Sequence, residues 1–164
     1  MAKTTDNLMK MFAGAAESSV KYLAFAEAAD AEGRPGAAKV FRALAKAKLF
    51  HSLSHFRAAR TMDTTAENLK QAQEEETYDY KTAYPRMVQD AVADDALEAR
   101  HSLEYGMSVG PVIARWLASA LADANLNPEG SYYVCPVCGT VEFGKPPTKC
   151  PFCGVDARDF VEVS

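Results

Sequence analysis

No cysteine occurs before Cys135, no run of about 18 uninterrupted apolar residues occurs anywhere, and basic residues are sparse. Each scarcity excludes something. The missing apolar run argues against a membrane span, and the polar start MAKTTDNLMK lacks the apolar stretch of a signal peptide. A soluble, cytoplasmic protein is expected. Only 18 Lys and Arg, spread thinly in a chain of net charge −4 and pI near 5.4, argue against a nucleic-acid partner, which needs a clustered basic face. A bulk without cysteine cannot rely on disulfides, so its stability must come from packing. The hydrophobic content of 48% over 164 residues is ample for that.

What is present divides into two regions. Residues 1–124 are rich in Ala, Leu, Glu and Lys, the composition of long helices. Thr4, Thr5 and Asp6 are candidate caps for a first helix that stops at the turn Gly33, Arg34, Pro35, Gly36. A second helix is expected from Ala37 to Arg60. Thr64 and Glu67 have the capping-box spacing that opens a third, which Pro85 should kink or interrupt for want of an N–H. A polar break at Asp94 and Asp95 leads to a fourth helix ending near Ala124. Four helices of roughly 25 residues, each about 40 Å long, suit an antiparallel bundle. Residues 125–130 read as a linker, and residues 131–164 as a short, turn-rich domain.

That last region holds Cys135, Cys138, Cys150 and Cys153 in the pattern C-x2-C-x11-C-x2-C. Two tight turns, closed by Gly139 and Gly154, can each offer two sulfurs to one ion, which completes a tetrahedral four-thiolate site. Four sulfurs in a tetrahedron accept iron or zinc, so the spacing alone leaves the metal open. Tyr133, Phe143, Phe152 and Phe160 are expected to pack around the ion.

Within the helical region, steps of three and four residues place ionisable groups on apolar stripes. Glu17 lies between Ala13, Val20 and Ala24. Lys48, His51 and His55 share a stripe with Ala37, Phe41, Leu44 and Ala58, while Glu76 and Asp79 follow Leu69 and Ala72. Buried ionisable groups must pair with one another or bind metal. The fourth-helix stripe, through Gly106, Gly110 and Ile113, carries no ligand.

The segments AESSVKYLAFAEAADAEG, FRALAKAKLFH, TTAENLKQAQEEETYDYKTAYP, YYVCPVCGT and CPFCG together make the whole chain similar to the rubrerythrin family. The resemblance implies a mainly α fold, a ferritin-like four-helix bundle followed by a small rubredoxin-like domain, and an iron at the four cysteines. It also implies peroxide reduction at a di-iron site held by Glu, Glu-x-x-His, Glu-x-x-Glu and Glu-x-x-His on successive helices, and a dimer. This chain matches at Glu17, His51 and Glu76 and has the shorter Asp79. It departs at Lys48, Gly110 and Ile113, so a normal di-iron site is not expected. Lys48 would instead form an internal ion pair with Glu17, Glu76 or Asp79. Tyr22, Tyr78, Tyr80 and Tyr84 match family tyrosines, and His101 should be solvated. Three functions compete: electron transfer through a rubredoxin-type iron with a redox partner protein; peroxide reduction at a non-standard site of Glu17, His51, Glu76 and Asp79, with His55 as a further ligand; and a non-redox interaction protein with structural zinc.

Overall fold

The computed structural model describes residues 2–126 and 129–164, leaving Asn127 and Pro128 of the expected linker outside the described residues. It divides into two compact units, residues 1–63 and 64–164. The first is a helical hairpin of α1 (Ala2–Ala31) and α2 (Pro35–Ala59). α1 begins at Ala2, ahead of the caps expected at Thr4 to Asp6. Gly33 stops it at φ 70°, in the left-handed region that glycine enters without a Cβ penalty. Pro35 opens α2 at a first-turn position where its missing N–H leaves no bond unmade.

The hairpin closes on very small side chains. Ala38, Ala45, Ser52 and Ala59 are buried along α2 at a strict spacing of seven, facing Ala15, Ser19, Ala26 and Ala29 of α1. Small residues let the two backbones approach closely, and two serines bond across the seam. Ser19 Oγ donates to the Ala45 carbonyl at 2.9 Å, and Ser52 Oγ to that of Phe12 at 3.2 Å. This seam is not the expected stripe. Serine counted as polar hides the repeat, which runs one position away from the Phe41, Leu44, Lys48, His51 line.

The second unit contains α3 (Thr65–Tyr78), a π-helical turn (Asp79–Ala83), α4 (Tyr84–Ala93) and α5 (Leu97–Ala122). The Thr64 hydroxyl accepts from the Glu67 N–H at 3.3 Å, and the Glu67 carboxylate accepts in return, as the sequence leads one to expect. The interruption expected from Pro85 takes the form of the π turn, in which the Tyr84 N–H reaches the Asp79 carbonyl. Widening the helix immediately before proline accommodates a residue with no N–H to offer. After a turn at Asp94 and Asp95, α5 returns along α3 and α4 and runs helical through Pro111.

A three-stranded antiparallel sheet follows, in the order β2 (Val141–Phe143), β1 (Tyr132–Val134), β3 (Val161–Val163). It is tied to α5 by Trp116. The indole N–H donates to the Val141 carbonyl at 3.0 Å, and the ring stands edge-on to Tyr132 with centroids 5.3 Å apart. Phe143 completes this cluster. It fills space above Gly130, where a Cβ would come within 1.9 Å of its ring. Phe143 therefore packs toward α5 and not around the cysteines, contrary to expectation. Among the described residues no helix is long and apolar enough to cross a membrane.

Candidate metal centre

Each cysteine pair sits in a turn built to the same plan. The Gly139 N–H donates to the Cys135 carbonyl at 3.0 Å, and the Cys135 N–H to that of Thr140 at 2.9 Å. In the second turn Gly154 donates to Cys150 at 2.9 Å, and Cys150 to Val155 at 2.8 Å. Both glycines are left-handed, at φ 77° and 79°. Only that backbone hand turns the chain back beneath its two sulfurs, so glycine is required at both places.

The four Sγ atoms lie within 4.8 Å of one another. Cys135 and Cys153 are 3.4 Å apart, as are Cys138 and Cys150. A disulfide would require about 2.05 Å. A tetrahedron with metal–sulfur bonds of about 2.3 Å has edges of about 3.8 Å, so these four donors fit one ion. The surroundings favour thiolate at Cys135 and the neutral thiol at Cys138 and Cys153. Burial pushes the Cys135 thiol up, but N–H groups of Cys138 and Val137 and the neighbouring thiols outweigh it and bring the group down to about 7. Burial raises Cys138 and Cys153, opposed by N–H bonds from Thr140 and Val155 respectively. A bound cation would favour the ionised form of all four. Tyr133, Phe152, Val155 and Phe160 pack around the cluster as a small apolar shell.

Of the four helical candidates, Glu17 and His51 lie in the first unit and Glu76 and Asp79 in the second. Glu17 is 63% exposed and pairs with Lys21, one turn along its own helix, not with Lys48. That ammonium holds the Glu17 carboxyl below the usual carboxylate range. His51 is exposed, with its ring 6.5 Å from that of His55. In the second unit Glu76 and Asp79 are both half-buried. Burial first, then the charges of Asp79 and Glu75, raise the Glu76 carboxyl.

The α5 position where the resemblance implies a carboxylate is Gly110, and a tyrosine lies against it. A Cβ on Gly110 would come 2.4 Å from the Cβ of Tyr80, and one on Gly106 would come 2.5 Å from the ring of Tyr84. Two tyrosines four residues apart, on the π turn and the start of α4, seat on two glycines four residues apart. The sequence shows both pairs, but not that they meet. Trp116 was missed likewise, because a lone aromatic on a helix does not announce its partner.

Paired helices followed by a four-thiolate knuckle define the class: a ferritin-like, mainly α protein with a C-terminal rubredoxin-like domain. Residues 6–107 match the rubrerythrin family and residues 133–161 the rubredoxin-like domain of rubrerythrin. The chain belongs to the rubrerythrin family. It is 26% identical to rubrerythrin-2 of Clostridium acetobutylicum, covering 97% of this chain and 96% of that one. It is also 26% identical to nigerythrin of Nitratidesulfovibrio vulgaris, over 93% and 83% of the two chains. Solved structures of nigerythrin in its fully reduced, all-ferrous state and its partially reduced state match over 98% of this chain and 86% of theirs, at 25% identity. Their TM-scores are 0.58 and 0.60.

Proposed function

We propose that this protein is an electron carrier whose working centre is one iron held by Cys135, Cys138, Cys150 and Cys153. Iron bound to four thiolates supplies a one-electron ferrous–ferric couple. The chain's own contribution is to hold the sulfurs in place, to donate N–H groups from Val137, Cys138, Thr140 and Val155 to them, and to exclude water with Phe152, Phe160 and Tyr133. N–H bonds to sulfur withdraw negative charge, which favours the reduced state. Iron is preferred over zinc because the nigerythrin states matched above are described by the oxidation state of their iron. A redox partner protein exchanges the electron, the protein works as a homodimer, and a reducing cytoplasm keeps the thiols available.

The observation that carries this reading is the contrast between the two candidate sites. Four sulfurs converge, whereas Tyr80 occupies the space above Gly110 where a fourth-helix carboxylate would project. The residues present therefore do not fit the di-iron set of the family.

Metal analysis and an absorption spectrum of the full chain, produced with iron supplied, test the proposal. One iron per chain with a thiolate-to-iron band is expected, and both should vanish in Cys138→Ser/Cys153→Ser. Zinc and no band would leave a structural knuckle and an interaction protein. A second reading rests on the raised Glu76 beside Asp79, two carboxylates whose like charges oppose each other. Iron retained by the double cysteine variant, with peroxide turnover lost in Glu76→Gln, would favour peroxide reduction at a non-standard site.

A further inference from the structure

Three polar side chains are buried among the described residues: Ser19, Ser52 and Thr140. The two serines donate their hydroxyls to carbonyls across the seam of α1 and α2. Thr140 does not follow them. It has no exposed surface, and among the described residues its Oγ1 finds no hydrogen-bond partner. A buried hydroxyl left unpaired is unfavourable, and valine would fill the same shape without that penalty. An orphan of this kind in a folded chain needs a partner other than the ordinary carbonyls and side chains around it.

Both backbone groups of Thr140 already serve the cysteines. Its carbonyl accepts from the Cys135 N–H at 2.9 Å, and its own N–H donates to the Cys138 sulfur. The residue lies between the left-handed Gly139 and β2, so the first knuckle turn and the sheet pin it from either side. Oγ1 is joined through Cα and Cβ to the nitrogen that reaches Cys138. The hydroxyl is thus a spare donor held inside the knuckle.

The sulfurs are the matching acceptors. As thiols they can donate to one another, Cys135 with Cys153 and Cys138 with Cys150, each pair 3.4 Å apart. As the four thiolates of a metal centre they carry no proton and only accept. N–H groups of Val137, Cys138, Thr140 and Val155 meet part of that demand. The apolar shell of Tyr133, Phe152, Val155 and Phe160 keeps water from meeting the rest.

We infer that the Thr140 hydroxyl donates to the Cys138 thiolate of the loaded centre, beside the bond from the Thr140 N–H, and so sets part of the reduction potential. The inference rests on the iron reading above and adds a side-chain donor to it. A hydrogen bond draws negative charge from sulfur, and the ferrous centre carries one negative charge more than the ferric one. The bond therefore holds the ferrous form more strongly, and its loss lowers the potential.

Redox titration of the thiolate-to-iron band of the iron-loaded full chain tests this, with wild type, Thr140→Val and Thr140→Ser side by side. Valine keeps the shape and removes the donor, whereas serine keeps the donor. In Thr140→Val the equilibrium constant for reduction should fall about tenfold, a shift of about 59 mV for one electron, while Thr140→Ser stays near wild type. Equal potentials in wild type and Thr140→Val would overturn the inference and leave the electron-carrier reading intact, with a trapped water as the hydroxyl's partner. An equal fall in both variants would also overturn it, because packing and not the donor would then set the potential. Should Thr140→Val bind no iron, Thr140→Ser against Thr140→Ala makes the same comparison: a higher potential with serine is expected, and equal potentials would overturn the assignment. A full chain that holds zinc and shows no band would overturn the electron-carrier reading and this inference together.

Discussion

Tyr80 can lie against α5 because position 110 has no side chain. Gly110→Ala forces a Cβ into a 2.4 Å approach to Tyr80, and overpacking of this kind costs about 1–3 kcal/mol. Urea denaturation should show that loss, and Tyr80→Ala in the same chain should recover part of it. Glu76 offers a test by pH. Its carboxyl is raised above its ordinary value of 4.5, chiefly by burial, so the folded state binds its proton more tightly than the unfolded state does. Its destabilising effect is therefore fully present above the folded pKa and is relieved as pH falls through that value toward 4.5. With chelator present to remove any cation, Glu76→Gln should raise the Tm at pH 7, and the gain should shrink toward pH 4. A lower Tm at pH 7 would mean that the ionised carboxylate has a stabilising partner.

Among the elements, those with local causes were legible in the sequence. The Thr64 and Glu67 box, the Gly33 stop and the Pro85 interruption each depend on residues within one or two turns. Thr64→Ala should cost about 1 kcal/mol through loss of the cap, read as a lower urea midpoint. The seam between α1 and α2 was not legible, because which face of an amphipathic helix is buried depends on the partner's shape. Alanines and serines at a spacing of seven prevailed over the larger residues beside them because close backbone approach rewards small side chains. The tie between α5 and the sheet is likewise tertiary. Trp116→Phe keeps most of the ring and removes the bond to Val141, at a cost of about 0.5–1.5 kcal/mol. Hydrogen exchange should accelerate at Val141–Phe143 while the metal content of the knuckle stays unchanged.

For the whole molecule, the C-terminal domain is built around its cysteines. Cys135 and Cys150 are themselves the buried centre against which Phe160, Tyr133 and Phe152 pack. Stripping the metal should therefore unfold residues 131–164 and leave the helices formed, because metal-binding free energy is folding free energy in so small a domain. Circular dichroism near 222 nm should change little while near-ultraviolet tyrosine signals collapse. The sequence by itself determined the knuckle, its four cysteines and the helical composition, because each follows from spacing or from local backbone chemistry, and it carried the family through the resemblance of whole segments. The tertiary structure decided that Phe143 belongs with Trp116 and that tyrosines occupy the glycines of α5. Those outcomes depend on which distant side chains compete for the same space, and neither spacing nor composition encodes that competition.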